Sequence, residues 1–321
     1  DMSKAGNTPE RLKVWAEGEE VIDAWLRSFG VTLDHNYGGR NHMATKDDYA
    51  GQMIQREMER HAYEMGVEIR TGVQGYDLVM DGKDAKGVMV TTNKNESYNI
   101  LAKKTILATG GYEGNPEMIE ACAPILPMCV TASSFYAANK GQGIKAGVWA
   151  GAMKDIEAAP MIFDRGIVAP GVDAGYVLND KGEKVFPGTV SQYNPGTQPF
   201  LKVDRDGVRF MSESQPYNDA SHAAARRKGG VYAQIFDSNV CADVQRFHTI
   251  GCSAMTRSQG EGLIPNTIEP QVEAGLIMKA DTLEELADKL GFAGKAKETF
   301  LATCARYNEL YDMQEDVDFG K

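Results

Sequence analysis

The segment KTILATGG at 104–111 constrains the fold of this chain more than any other, because an apolar stretch of strand character runs directly into two glycines. Glycines at the carboxyl end of a strand let the backbone approach a ligand closely, as α/β folds do when they receive a nucleotide. A strand-to-turn glycine pair with no ligand is the plain alternative. A second constraint lies in KGQGIKAGVWAGA at 140–152, where Gly143, Gly147 and Gly151 recur at every fourth residue and share one helical face. Each glycine costs a helix about 1 kcal/mol against alanine. That face is therefore predicted to pack closely on backbone or on a cofactor.

Around these segments the pattern alternates helix and strand. Val21, Ile22, Trp25 and Leu26 predict an amphipathic helix over 17–28, stopped by Gly30. A second helix is predicted over 45–65, with Thr45 as N-cap, Asp47 and Asp48 in the first turn, and Gly66 after its end. A short strand is expected over 67–70. Strands over 76–80, 87–92 and 98–101, joined by the polar turns DGKD and NKNE, predict a small antiparallel sheet. After about residue 158 the texture changes to short strands and Gly/Pro-rich loops, FPGTVSQYNPGTQPF at 186–200. A helix over 219–228, a strand over 231–236 and further helices follow. The expected domain boundary is near 157, dividing 1–157 from 158–321.

Composition narrows the function classes. The 34 basic and 45 acidic residues give a net charge of −11, which argues against nucleic acid or an anionic membrane as partner. No apolar run reaches the length of a membrane helix. Cys122, Cys129, Cys241, Cys252 and Cys304 lack C-x-x-C spacing, and His35, His42, His61, His222 and His248 include no pair four apart. Structural thiols and no metal are expected. The opening DMSKAGNTPERLK has no signal-peptide core and suggests a cut inside a longer protein.

No G-x-G-x-x-G is present, so these patterns alone do not establish a nucleotide ligand. The order of segments is more specific: GVEIRTGVQGYDLVMD, ILATGGYEGN, GQGIKAGVWAGA, DRDGVRFMSES, YAQIFD and RYNELYDMQEDVDFGK. In that order, over nearly the whole chain, they resemble the FAD-dependent fumarate reductase and succinate dehydrogenase flavoprotein superfamily. The resemblance implies an α/β fold: an incomplete FAD-binding, Rossmann-like domain over 1–157 and an α+β capping domain over 158–321. It places the glycine fingerprint upstream of residue 1 and the last flavin-domain strand downstream of residue 321. Residues 1–321 alone are therefore expected to hold FAD weakly or not at all.

Carried over residue by residue, the resemblance implies flavin contacts at Gln74, at Thr109, Gly110 and Gly111, and at Gln142, where the family usually has Asp. The substrate-clamping His of fumarate reductases falls near Ile162 and the proton-donating Arg at Tyr217, so fumarate itself is not the expected substrate. Instead RF-x-x-E-x-x-PY-x-x-A-x-H at 209–222 resembles the 3-ketosteroid dehydrogenase branch, which implies acid/base work for Tyr217. An ordinary buried tyrosine is the bland alternative. Arg209 and Glu213 are expected to form a loop-fixing salt bridge, and His222 to be a satisfied helix histidine. The implied activity is FAD-dependent oxidoreduction of an activated carbon–carbon double bond. Its partners are a small-molecule substrate and an electron-donor protein, in a bacterial cytoplasm or cell envelope. The alternative from another class is a catalytically silent, flavoprotein-like binding or scaffold module. An aspartate-oxidase-like enzyme is a third option, for which the required arginines are missing.

Overall fold

The computed structural model describes residues 8–32, 35–37, 40–43, 50–132, 138–154, 162–247 and 255–321. In chain order, helix α1 (Pro9–Ser28) precedes the hairpin of β1 (His35–Tyr37) and β2 (Arg40–Met43), helix α2 (Ala50–Glu64), and strands β3 (Val73–Asp81), β4 (Asp84–Thr92) and β5 (Ser97–Leu101). Helices α3 (Pro116–Cys122), α4 (Leu126–Cys129) and α5 (Gln142–Trp149) come next. Then follow strands β6 (Val177–Leu178), β7 (Lys184–Val185) and β8 (Leu201–Val203), helix α6 (Tyr217–Ala224) and strand β9 (Ala233–Ile235). The remainder is helical: α7 (Val240–Arg246), α8 (Met255–Ser258), α9 (Glu269–Glu273), α10 (Leu283–Lys289) and α11 (Lys295–Met313). The chain forms two compact units, 1–109 with 142–159, and 110–141 with 160–321. Residue 157, where the boundary is predicted, lies outside the described residues, as do Thr45, Asp47, Asp48, Cys252 and His248.

In the first unit, α1 starts eight residues before the helix predicted over 17–28. The Thr8 hydroxyl accepts from the Arg11 amide at 3.3 Å, and Pro9 occupies the first turn, a start signal that needs no apolar periodicity. The predicted sheet is present as the antiparallel order β3-β4-β5, with Leu78 and Val90 buried. Two expected strands are absent. Residues 67–70 and 104–109 carry no ladder among the described residues, and Ile106 is 90% exposed. Apolar, β-prone sequence gives a strand only where a neighbouring edge can take its amide and carbonyl groups.

Helix α5 lies against β3 and buries Gly143, Ala146 and Gly147. A Cβ built on Gly143 would collide with the Thr109 side chain, so this glycine lets helix and loop touch. One on Gly147 would sit at an ordinary 3.5 Å from Leu107 Cδ1. Gly151, with φ +94°, lies past the helix end, so the predicted glycine face has two members and not three.

The second unit contains the main cores. Strands β8 and β9 pair antiparallel, with Lys202 opposite Gln234. One cluster unites Leu201 and Val203 with Ala287, Phe292, Phe300 and Cys304, seating α10 and α11 on β8. A second joins Phe200, Val240, Val244, Leu263 and Ile268. The predicted 219–228 helix begins earlier, at Tyr217 directly after Pro216, and stops at Ala224. Cys122, Cys129, Cys241 and Cys304 are free thiols. No helix among the described residues is long and apolar enough to cross a membrane.

The two buried glycines make a matched test. Gly143→Ala is expected to destabilise by about 1–3 kcal/mol through overpacking on Thr109. Gly147→Ala should be neutral, or stabilising by up to about 1 kcal/mol from helix propensity. Urea denaturation of the two variants reads the difference directly, and equal effects would remove the packing argument.

Candidate functional site

The geometry of the second unit is set by the loop between β8 and α6. Asp204 turns the chain: its Oδ1 accepts from the amides of Asp206 and Val208, both at 3.0 Å. Arg209 then enters the interior. Its Nε and Nη2 donate to Glu213 Oε1 and Oε2, each at 2.8 Å. Nη1 and Nη2 also reach Asp316 Oδ1 and Oδ2 at 3.1 and 2.6 Å. The guanidinium lies over the rings of Tyr307 (5.0 Å) and Phe319 (4.8 Å), and Lys321 Nζ stands 3.5 Å from Glu213 Oε2. The expected Arg209–Glu213 salt bridge is therefore one part of a larger buried network. Hydrogen bonding from Arg209 holds the Asp316 carboxyl well below the usual carboxylate range.

Four residues after Glu213 the chain becomes α6, with Tyr217 as its first residue. The half-buried Tyr217 ring packs on Phe163 at 4.9 Å between centroids, tilted by 33°. Ile162 N donates to Asn218 Oδ1 at 3.2 Å, tying the 162–165 segment to the start of α6. Arg165, 3% exposed, places its guanidinium 4.9 Å over the Phe163 ring and 5.9 Å over the Tyr217 ring. Its Nη1 donates to Gln192 Oε1 at 3.4 Å. The Tyr217 hydroxyl makes no hydrogen bond among the described residues. His222, one turn along α6, has its Nε2 buried without a protein partner among the described residues.

Behind this segment lies a buried ionisable cluster. Lys202 is fully buried, and its Nζ donates to the Gln198 carbonyl at 2.7 Å. Burial brings its ammonium down to about 8, while the charges of Asp164 and Glu213 hold it up. Burial pushes the Asp164 carboxyl up to about 6, against the pull of Lys202 and Arg165. Tyr232 donates to Asp164 Oδ2 at 3.4 Å, and its own phenol is driven well above the ordinary range, mainly by burial. Asp164 Oδ1 and the Tyr193 hydroxyl are sealed without protein partners among the described residues. Phe163, Asp164, Arg165, Tyr193, Tyr232 and Gln234 line a cleft of about 1500 Å³; Tyr217 is not on its wall.

The residues tied to the flavin by resemblance fall as follows. In the first unit, Thr109 meets Gly143, whose chain neighbour is Gln142, and α5 packs on β3, which carries Gln74. Gln74 and Thr109 are exposed and Gln142 half-buried, leaving their polar groups open. In the second unit, Gly110 has φ +73°, and a Cβ there would come within 3.0 Å of the Asn139 amide. Asn139 in turn donates to Glu113 Oε1 at 2.9 Å and accepts from Gly114 N at 2.8 Å. The close backbone approach at Gly110 and Gly111 is thus to the chain's own 113 and 139 side chains.

Arg165, Asp164 and Lys202 were not singled out by the sequence. Lys202 carried a signal, a lysine inside the apolar run PFLKV. Arg165 had none, since it meets Tyr217 across 52 positions of chain.

A family model described as an FAD binding domain matches residues 24–319. A fumarate reductase (cytochrome) of Shewanella frigidimarina is 25% identical over all of this chain and 50% of its own length. A vinyl phenol reductase of Lactiplantibacillus plantarum is 28% identical over 92% of this chain and 59% of its own. The crystal structure of a 3-ketosteroid-Δ4-(5α)-dehydrogenase from Rhodococcus jostii superposes with a TM-score of 0.62 at 17% identity, over 98% of this chain and 63% of that one. The chain spans about half the length of the curated relatives it matches. Its fold is the α/β flavoprotein fold that this structure shares.

Two outcomes follow from the buried charges. Glu213→Gln should cost about 3–5 kcal/mol in urea denaturation, the range for removing one partner of a buried pair, because Arg209 and Lys321 both lose a counter-charge. A loss under about 1 kcal/mol would mark the network as an ordinary surface pairing. Asp164 favours its neutral form when folded. Its contribution to stability is therefore complete below about 3.9 and is lost as pH rises through about 6. Lys202 also favours its neutral form, so its contribution is complete above about 10.4 and is lost as pH falls through about 8. Between those two folded-state values both groups are charged and support each other. Lys202→Met should accordingly move the Asp164 midpoint above about 6, read by carboxyl ¹³C titration with Asp164→Asn as the assignment. An unmoved midpoint would show that the two groups do not interact.

Proposed function

The chain belongs to the FAD binding domain family, and from that premise we propose that the whole protein is an FAD-dependent oxidoreductase acting on an activated carbon–carbon double bond, with Tyr217 as its acid/base. The observation that carries this reading is the placing of Tyr217. It opens α6, its hydroxyl makes no hydrogen bond among the described residues, and its ring is set by Phe163 and Asn218's hold on the 162–165 segment. Relatives named for the reduction of fumarate and of vinyl phenol support the reaction class.

When bound, FAD supplies or accepts the hydride. The remaining tasks belong to the chain. Gln74, Thr109 and Gln142 would hold the cofactor through neutral hydrogen-bonding groups left open in the first unit. The first-turn amides of α5 would favour a phosphate. Gly110 and Gly111 would shape the turn that follows Thr109. Tyr217 would keep a proton at its phenolic oxygen and deliver it to the substrate carbon that does not receive hydride, or remove it in the reverse direction.

The substrate we infer is an alkene conjugated to a carbonyl, since conjugation makes the double bond reducible. Fumarate fits less well. Ile162 is a buried apolar side chain, and the position expected to supply a second cation is Tyr217 itself. A small-molecule substrate and an electron-donor protein are the proposed partners.

In the full-length, flavin-loaded protein, Tyr217→Phe is expected to lower turnover by about 100-fold to 10,000-fold, the span for removing a positioned proton-transfer group. Flavin content, read from the visible spectrum, should not change, because phenylalanine keeps the packing on Phe163. Wild-type turnover in this variant would make Tyr217 a packing residue and defeat the reading.

A further inference from the structure

We propose that Arg165 is a positioning residue for the proton transfer at Tyr217: its guanidinium packs with Phe163 beside the ring and offsets the negative charge the ring carries once its proton has left. This rests on the acid/base reading of Tyr217. The geometry is specific. Arg165 is 3% exposed, its guanidinium carbon lies 4.9 Å over the Phe163 ring and 5.9 Å over the Tyr217 ring, and those two rings are in contact at 4.9 Å. The Tyr193 amide donates to the Arg165 carbonyl at 3.0 Å, fixing the backbone from which the side chain projects.

A cation over an aromatic face is attracted by the ring's negative quadrupole. That attraction grows when the ring becomes a phenolate, because a full charge replaces a partial one and the guanidinium is buried. An interaction stronger after proton transfer than before it lowers the barrier to the transfer. In the reducing direction, hydride from the reduced flavin forms one C–H bond. The Tyr217 O–H bond breaks to form the other, and the resulting phenolate is reprotonated by water. Arg165 exchanges no proton and touches no reacting atom in this scheme.

The charge and the flat shape of the guanidinium can be separated. Arg165→Gln keeps a planar hydrogen-bonding end without charge, and Arg165→Lys keeps the charge without the plane. In the full-length flavin-loaded enzyme, Arg165→Gln is expected to lower kcat roughly 10-fold to 100-fold, below the loss seen on removing a direct oxyanion donor, with little change in KM. The solvent deuterium isotope effect on kcat should rise as proton transfer becomes limiting, and Arg165→Lys should recover most of the rate. An unchanged kcat and isotope effect in Arg165→Gln, or recovery by Gln as good as by Lys, would overturn the proposal. Should Arg165→Gln fail to fold, Phe163→Leu keeps the arginine but removes the ring it lies on. That variant must show the same rise in isotope effect, and its absence counts against the proposal equally. Loss of activity in Tyr217→Phe together with an indifferent Arg165 defeats this inference alone, whereas an active Tyr217→Phe defeats the reading beneath it.

Discussion

The placing of Tyr217 depends first on one ion-pair network, in which Arg209 is shared by Glu213 and Asp316 across 107 positions of chain. The arginine's planar fork suits this task, since it can meet one carboxylate through Nε and Nη2 while sharing its other N–H groups with a second. The aromatic rings of Tyr307 and Phe319 complete the enclosure. Buried pairs of this kind add little net stability over a well-packed apolar substitute, but they are costly when one member is lost. Their effect here is on register. They fix where the chain stands four residues before α6, and so which residue occupies the first position of that helix.

The same interior holds Lys202, Lys321 and Arg209 against Asp164, Glu213 and Asp316. Each carboxylate faces an opposing charge: Glu213 meets Arg209 and Lys321, Asp316 meets Arg209, and Asp164 faces Lys202 and Arg165. Asp164 and Lys202 depend on each other. Burial acts on both in the direction of neutrality, and their mutual attraction limits how far each goes. The first unit is organised by different physics. Its decisive contact is steric, the approach of α5 to Thr109 that only a missing side chain at Gly143 permits.

Local chemistry made much of the fold legible. The β3-β4-β5 meander announced itself through strand-like runs joined by polar turns, and α5 through glycines at helical spacing. The early start of α1 was hidden because its signal is a Thr8 cap and Pro9, while residues 10–20 are too polar to show a period. The strand expected at 104–109 failed for a related reason: sequence reports a segment's preference but not whether a neighbouring edge is present to pair with it. Within the candidate site, Tyr217 and the Arg209–Glu213 pair could be found because they lie in one short motif. Asp316 and Arg165 could not, since each reaches its partner only after the chain has folded, and neither has a distinctive local pattern.

The arrangement at α6 bears on the proposed role of a tyrosine at position 217, where the resemblance to fumarate reductases implies an arginine. An arginine in such a position carries charge and proton together, and it recruits anionic substrates by the same group that would protonate them. In the proposed role Tyr217 would divide these properties, supplying the proton while the positive charge stays on Arg165, 5.9 Å from the ring centre. A phenolic donor in that role would place no demand for a carboxylate on the substrate. The activation of the double bond would then come from the substrate's own conjugation, and the cation would affect the donor more than the alkene. Selectivity in such a site would follow the shape and polarity of the substrate, because the charge that assists the chemistry is held away from it.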